Sequence, residues 1–565
     1  MKSKVAGLVS LLLTISCITL SRAEATYQDP RNVDKIGFES SGDLSFPING
    51  IRVMHPYKSE RDFLCSSLDD SRCTAVDTSA WVRQNLGQSP GSDEIVGINY
   101  VHHLPLCSEI ILTDCLTDLF ARLPDGKVVN GQFVRKLFES TSGDFRGDPK
   151  VGLSDGIGRG LIVRFPGVNH EGGTDLYLVS VINIGVPSEI KKSGISLRDT
   201  KVVSESFEAY IVPYLEGVRN ATPSPSCISW IPVPSESNCA ISVDHPIGVR
   251  YGLTIRFPDK LSGWFHGRMK SPIIQTTVQQ NQTSVSIEGL PMTLPVIDEM
   301  YDKSSIPSAL MELLVANMNN PLIGSRYAPW LGLQIGIGGG STHKGNSLDL
   351  LESIYPVLGD KATKEMSLWS VKTLQGDMGV IRGCESDLAG IITTNALSYR
   401  SGPPIFNETT QSLDYTVSST HLTSKGDVVA GSYDLVVRAD IVRCLYKFSS
   451  APIKATIEVL SSDGGSKIAT TAVNERNGWL SLSAQGFEYS NPTIRVKVSQ
   501  EGSSTSAGVE SPAKETIATA PRPLPSASPV PKKSNLRTIT CAKNATKKRV
   551  TAQKPKCPRG YRAVS

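Results

Sequence analysis

Gly152-Leu-Ser154-Asp-Gly156 has the GxSxG spacing of a nucleophile elbow, which places a reactive Ser between a buried strand and a helix. GDPKV precedes it and the Gly-rich GIGRG follows, so neither flank is supplied and the segment reads as a turn. Gln334 to Gly345, QIGIGGGSTHKG, has the glycines of a phosphate cradle but fails both consensus forms. Position 341 is Ser where GxGxxG needs Gly, and Lys344 precedes Gly345 where a P-loop needs Gly-Lys-Ser/Thr; the stretch reads as a loop, with no nucleotide cofactor. The histidines His102, His103, His170 (beside Glu171 and Asp175) and His266 are base or ligand types. They lack i,i+4 spacing and there is no HExxH, so no metal site and no cofactor is expected. A carboxylate pair for glycoside hydrolysis is a matter of spatial separation and cannot be chosen from sequence. No catalytic residue is assigned.

Two stretches concentrate binding-type residues. Trp264-Phe-His266-Gly-Arg268 could stack on a sugar and hold an anion, making Trp264, His266 and Arg268 a possible ligand patch. The competing reading is a strand whose period-two geometry puts Trp264 and His266 on one side. The second stretch is Arg537 to Ser565. Its cations are Arg537, Lys543, Lys547, Lys548, Arg549, Lys554, Lys556, Arg559 and Arg562, with no acid, a charge of +9 in 29 residues. Such a surface attracts polyanions in a salt-dependent way. Lys543, Lys547, Lys548, Arg549, Lys554, Lys556, Arg559 and Arg562 are the predicted anion-binding residues.

The whole chain of 565 residues is only +4, from 58 Lys+Arg and 54 Asp+Glu. That remainder hides an opposition: residues 26–500 hold 42 basic and 50 acidic residues, a net of −8. The 20% charged fraction is too low for a disordered polyampholyte, the 48 Gly and 35 Pro lack a collagen period, and the length calls for several domains.

The N-terminus has the build of a secretory signal: Lys2 and Lys4, an apolar run from Val5 to Leu20, and Ala23-Glu24-Ala25 before the cleavage point. A lipoprotein signal using Cys17 and a retained anchor are the alternatives; no later segment has 18 uninterrupted apolar residues, so no membrane span remains after cleavage. Ten cysteines remain, an even number that reads as disulfides in an exported chain. Neighbour pairing gives Cys65–Cys73, Cys107–Cys115, Cys227–Cys239, Cys384–Cys444 and Cys541–Cys557, with cross-pairing between residues 65 and 115 left open. The last of these would contribute roughly 3 kcal/mol to the tail. Asn220, Asn281, Asn407 and Asn544 begin sequons, which matter only in a eukaryotic host.

The body reads as strand. Ile453, Ala455, Ile457 and Val459 alternate with polar residues, as do Ile494, Val496 and Val498, with turns at Ser461–Ser466 and Asn474–Gly478. GLIVRFP (Gly160–Pro166) and GLTIRFP (Gly252–Pro258) match at five of seven positions and suggest two related β-modules. Helices are predicted over Ser305–Asn320 and Ser347–Tyr355, each stopped by Pro. The expected fold is mainly β: a multi-domain β-sandwich-type body with a few short helices, a disordered Pro/Ser/Thr linker and a small disulfide-bridged basic module. The divisions are a signal at 1–25, a β-rich domain at 26–225, a mixed domain with both helices at 226–375, a β-sandwich at 376–500, a linker at 501–536 and the module at 537–565.

The stretch Thr538-Ile-Thr-Cys541, Val550-Thr-Ala, Lys554-Pro-Lys-Cys557-Pro and Gly560-Tyr561 resembles a terminal module on exported proteins of actinobacteria. GSYDLVVRADIVRCLY (431–446) and NERNGWL (474–480) likewise resemble large uncharacterised proteins of that group. The resemblance implies export and an attachment or sorting role for the tail, and no reaction. The expected protein is secreted or envelope-associated, extracellular and non-catalytic. Its tail would hold anionic envelope polymers or lipid head groups, and its body an unknown protein or glycan. An extracellular hydrolase of glycans or esters is the alternative.

Overall fold

The computed structural model describes residues 30–39, 50–54, 63–65, 97–108, 113–137, 144–158, 160–187, 201–218, 238–257, 263–279, 282–317, 325–328, 332–336, 339–341, 351, 353–357, 359–374, 384, 388–400, 402–449, 453–460, 466–468, 472–489, 493–500, 537–543, 546–552, 557 and 561–564. The signal region 1–25, the linker 501–536, Cys73 and Cys227 lie outside them. The chain forms two compact units, Met1–Ser503 and Ser504–Ser565. Among the described residues, both consist mainly of strands.

The larger unit is organised by ten strands: β1 Cys115–Arg122, β2 Leu176–Pro187, β3 Val202–Val218, β4 Arg250–Phe257, β5 Gly263–Gln279, β6 Gln282–Val296, β7 Lys364–Thr373, β8 Leu388–Thr394, β9 Ala430–Arg438 and β10 Trp479–Glu488. β5 and β6 are long because each serves two sheets. The first part of β5 pairs with β7 antiparallel and β8 in parallel; beyond a register shift between Lys270 and Ile273 it pairs with β6 alone. β6 pairs with β4 over Thr283–Gly289, then with β7 over Met292–Val296. Because β5, β6 and β7 pair with one another, the sheet closes on itself.

Three layers result. An outer sheet (β1, β4 and the hairpin end of β5–β6) packs Leu119, Tyr251, Leu253 and Ile287 onto the central strands, which answer with Phe265, Met269 and Trp369. The opposite face of β5, β8, β9 and β10 presents Trp264, Ile392, Tyr433, Leu435 and Leu482 to a second core. A seven-stranded sheet that includes Ser412–Ser418, Ile453–Leu460 and Thr493–Gln500 closes that core with Tyr415, Ile457, Ile494 and Val496. This is the sheet-on-sheet packing of a sandwich. Strands covered on both faces lose the apolar–polar alternation of a half-wet sheet. In β2, Tyr177, Val179 and Val181 enter one core while Leu178 and Ile182 enter another.

The divisions expected at 225/226 and 375/376 do not separate sheets. β3 pairs with β7 and β1 with β4 across the first boundary, and β5 pairs with β8 across the second. Apolar faces on both sides of these strands require partners from distant sequence, which overrides dips in composition. GLIVRFP and GLTIRFP both run into buried Phe residues, Phe165 and Phe257, but the first holds a four-residue strand, Leu161–Arg164, whereas the second, over Gly252–Phe257, lies within the eight residues of β4.

The helix predicted over Ser305–Asn320 is present as α1, Ser308–Asn317, and packs Leu310 and Leu314 onto a four-stranded sheet through Ile36, Phe38 and Ile335. Residues 351 and 353–357 are helical, where the second helix was expected. A further helix, α2, covers Ala439–Tyr446 within a stretch read as strand, so Cys444 sits on a helix. Two expected bridges are formed, Cys107–Cys115 and Cys384–Cys444; Cys65 and Cys557 are also disulfide-bonded. Within the Gly-rich 334–345 stretch, read as a loop, the described residues are strand, in Gly332–Gly336 and Gly339–Ser341.

Candidate functional site

Trp264, His266 and Arg268 retain only 1%, 1% and 2% of their exposure, so they form no surface patch. Their strand lies between two cores: Phe265 and Met269 face one, Trp264 the other. His266 stacks on Tyr399 at 3.5 Å between ring centroids with planes 5° apart. The Arg268 guanidinium lies 4.9 Å from the same ring and donates to the carbonyls of Thr394 (2.8 Å), Ala396 (2.5 Å) and Leu397 (3.4 Å). A cation taken out of water requires such dense acceptance. The group therefore fastens residues 394–397 to the central sheet and is closed to a sugar or anion.

Where β5 leaves the central sheet, Ser271 takes a left-handed backbone (φ 49°). Its N–H donates to Asp434 Oδ2 (3.0 Å) and its carbonyl accepts from Arg250 Nη2 (2.8 Å). Burial holds the Asp434 carboxyl above the ordinary carboxylate range, against donation from Ser483, Ser271, Thr393 and Gln485. Arg250 Nε donates to Glu288 Oε1 (2.7 Å), and Arg122 grips the same carboxylate through Nε and Nη2, both at 3.0 Å. Burial disfavours the Glu288 charge, yet the two guanidiniums outweigh it and hold its pKa below the usual value. Beside this network the Phe120 ring rests on Gly252, where a Cβ would come within 2.3 Å of Cζ. These groups were not foreseen. Arg122 and Glu288 are 166 residues apart in sequence, and only strand register joins them.

The other candidate residues are structural. Gly152 closes a short turn after Pro149–Val151, and Asp148↔Leu153 and Phe145↔Gly156 bridge around it, so the GxSxG match is the turn it was read to be. Ser154 is buried. His170 binds within its own turn: Gly172 N–H donates to Nδ1, while Nε2 lies 2.9 Å from both the Leu176 carbonyl and Thr174 Oγ1. His103 Nδ1 meets Ser180 Oγ at 3.1 Å. His102, 2% exposed beside Phe145, has no hydrogen-bond partner among the described residues, and burial pushes its pKa down to about 3. Among the described residues, no three His, Cys, Asp or Glu side chains are grouped to hold a metal ion.

That leaves the basic tail. Three strands, β11 Arg537–Lys543, β12 Thr546–Ala552 and β13 Arg562–Val564, form an antiparallel sheet in the order β12-β11-β13. Cys541 lies on β11, and the bonded Cys557 precedes β13. Lys543, Lys547, Lys548, Arg549 and Arg562 are thereby fixed on strands, and Arg562 is exposed. Lys554, Lys556 and Arg559 lie outside the described residues. No protein-family model, curated protein or solved structure matches the chain.

Proposed function

We propose that the chain is an exported, envelope-associated protein with a non-catalytic binding or structural role, held by its C-terminal module to anionic polymers outside the cell. One observation carries the reading: nine cations and no acid fall within residues 537–565, whose strands belong to a separate compact unit. A charge of this density that is fixed on strands, rather than spread along a coil, gives a defined electrostatic surface. The disulfides support an oxidising compartment. Among the described residues, no helix is long and apolar enough to cross a membrane, so retention falls to the tail in this reading. The resemblance of the tail to terminal modules of exported actinobacterial proteins points the same way.

The test is deletion of residues 501–565. The truncated body should pass into the medium while the full chain stays cell-associated and is released by added salt. Equal retention of both forms would refute the proposal.

A further inference from the structure

Three sheet margins show how this chain guards an edge. Ser466–Ile468, at one end of the seven-stranded sheet, has three residues and carries Lys467. Asp298–Asp302, at one end of the four-stranded sheet, carries the acids Asp298, Glu299 and Asp302. Ala472–Arg476, which pairs with β10, ends in Glu475 and Arg476. Brevity and charge protect such margins, because unpaired N–H and C=O groups are otherwise a template for another strand.

The outer half of β5 has neither protection. From Ile273 to Gln279 it pairs with β6 alone, so among the described residues its other margin has no strand partner over seven residues, roughly 20 Å. No Asp, Glu, Lys, Arg or His occurs from Ser271 to Ile287, a stretch that takes in this margin and the part of β6 behind it. Pro272 lies before the free stretch and interrupts none of it. Ile274 enters the core, but Ile273, Gln275, Thr276, Thr277, Val278 and Gln279 are all exposed, Ile273 at 47% and Val278 at 53%.

We infer that this margin pairs antiparallel with the same margin of a second copy of the chain, joining the two outer sheets into one. In a two-fold pairing each residue meets itself or a near neighbour on the identical strand, so any charge would face its like. An uncharged margin is what self-pairing requires, and it offers no handle to a partner recognised by charge. The side chains suit the contact, since Thr, Val and Ile opposed across antiparallel strands are favourable pairs. Because β4 covers the far side of β6, the hairpin has one free margin, and a two-fold contact consumes it in both copies. The assembly therefore closes at a dimer.

The test is sedimentation of the full chain, unaltered and as two double variants, Q275K/T277K and Q275E/T277E. Both positions are exposed and lie on the face of β5 opposite buried Ile274, so the core is untouched; a thermal midpoint within about 2 °C of the unaltered chain reports folding. The two positions meet themselves or each other whenever the two-fold axis falls at residue 275, 276 or 277. The unaltered chain should form dimers with a Kd of about 10 µM or tighter. Each variant alone should self-associate at least about tenfold more weakly, and an equal mixture of the two should regain dimers. Added salt should leave the unaltered dimer intact, since no ion pair joins it. A chain that stays monomeric at about 100 µM would overturn the inference, as would dimers that dissolve in salt. Variants that each dimerise as tightly as the unaltered chain, or folded variants whose mixture stays monomeric, would equally overturn it.

Discussion

Replacing Arg268 by Met tests whether its guanidinium holds the body together or serves a ligand. Methionine keeps most of the stem volume and removes every donor. The side chain donates at 2.8 and 2.5 Å to the carbonyls of Thr394 and Ala396, and more weakly at 3.4 Å to that of Leu397. Two short bonds from a charged donor contribute about 1.5–3 kcal/mol each, and the face of Tyr399 about 1 kcal/mol more. Removing a buried charge returns part of its desolvation cost, so the net loss is about 3–4 kcal/mol. The unfolding entropy of a body of roughly 475 residues is about 1 kcal/mol/K, so the midpoint should fall by about 3–4 °C in a thermal scan. Amides around residues 394–397 should lose hydrogen-exchange protection first. Arg268→Lys, which keeps the charge but cannot reach several carbonyls at once, should fall between the two. A midpoint unchanged within about 0.5 °C would refute the reasoning, because a bond set of this kind cannot vanish without cost.

Two further outcomes follow from the charged and titrating groups. Glu288→Gln should cost about 2 kcal/mol at neutral pH by urea unfolding, given partners that are only partly buried. Because the folded carboxylate titrates below its ordinary value, its contribution is full above the ordinary glutamate pKa and fades as pH falls through the lower folded one; wild type and variant should converge at pH below the folded pKa. His102 and His245 are buried and pushed down to about 3, by desolvation first. Above about pH 6.5 neither state carries the extra proton, whereas between 6.5 and 3 the unfolded chain takes one up at each imidazole. Stability should therefore decline across that window, with His102→Phe flattening the slope; an unchanged slope would disprove the neutral burial of His102.

Local signals carried much of the fold. Asn477-Gly478, read as a hairpin turn, has φ of 51° and 79°, the left-handed pair that such turns require. The alternation in 453–460 and 493–500 became adjacent antiparallel strands because one face of each enters the second core. The bridges Cys107–Cys115 and Cys384–Cys444, with separations of 8 and 60 residues, followed the pairing of cysteines adjacent in the cysteine order. α2 was missed for a physical reason: it continues straight from the β-branched run of β9, its N-cap, Arg438, makes no side-chain cap, and Asp440 in the first turn is the one start signal. The Trp264 stretch could not be resolved by residue type, since aromatic, His and Arg side chains serve an interior stack as readily as a ligand. What decides is the cover supplied by Tyr399 and by β8, more than a hundred residues away.

The two long strands that serve two sheets also bear on heredity. A segment can pass between genes intact only if cutting its ends leaves both pieces with closed cores. Excising the middle or last third of the body would sever β5 or β6 from β4, β7 or β8, and excising the first would strip β1 from β4. The body must therefore be inherited and varied as one piece, by substitution and by change in the connections between strands. The C-terminal sheet, complete in three short strands, can be appended or lost without such damage.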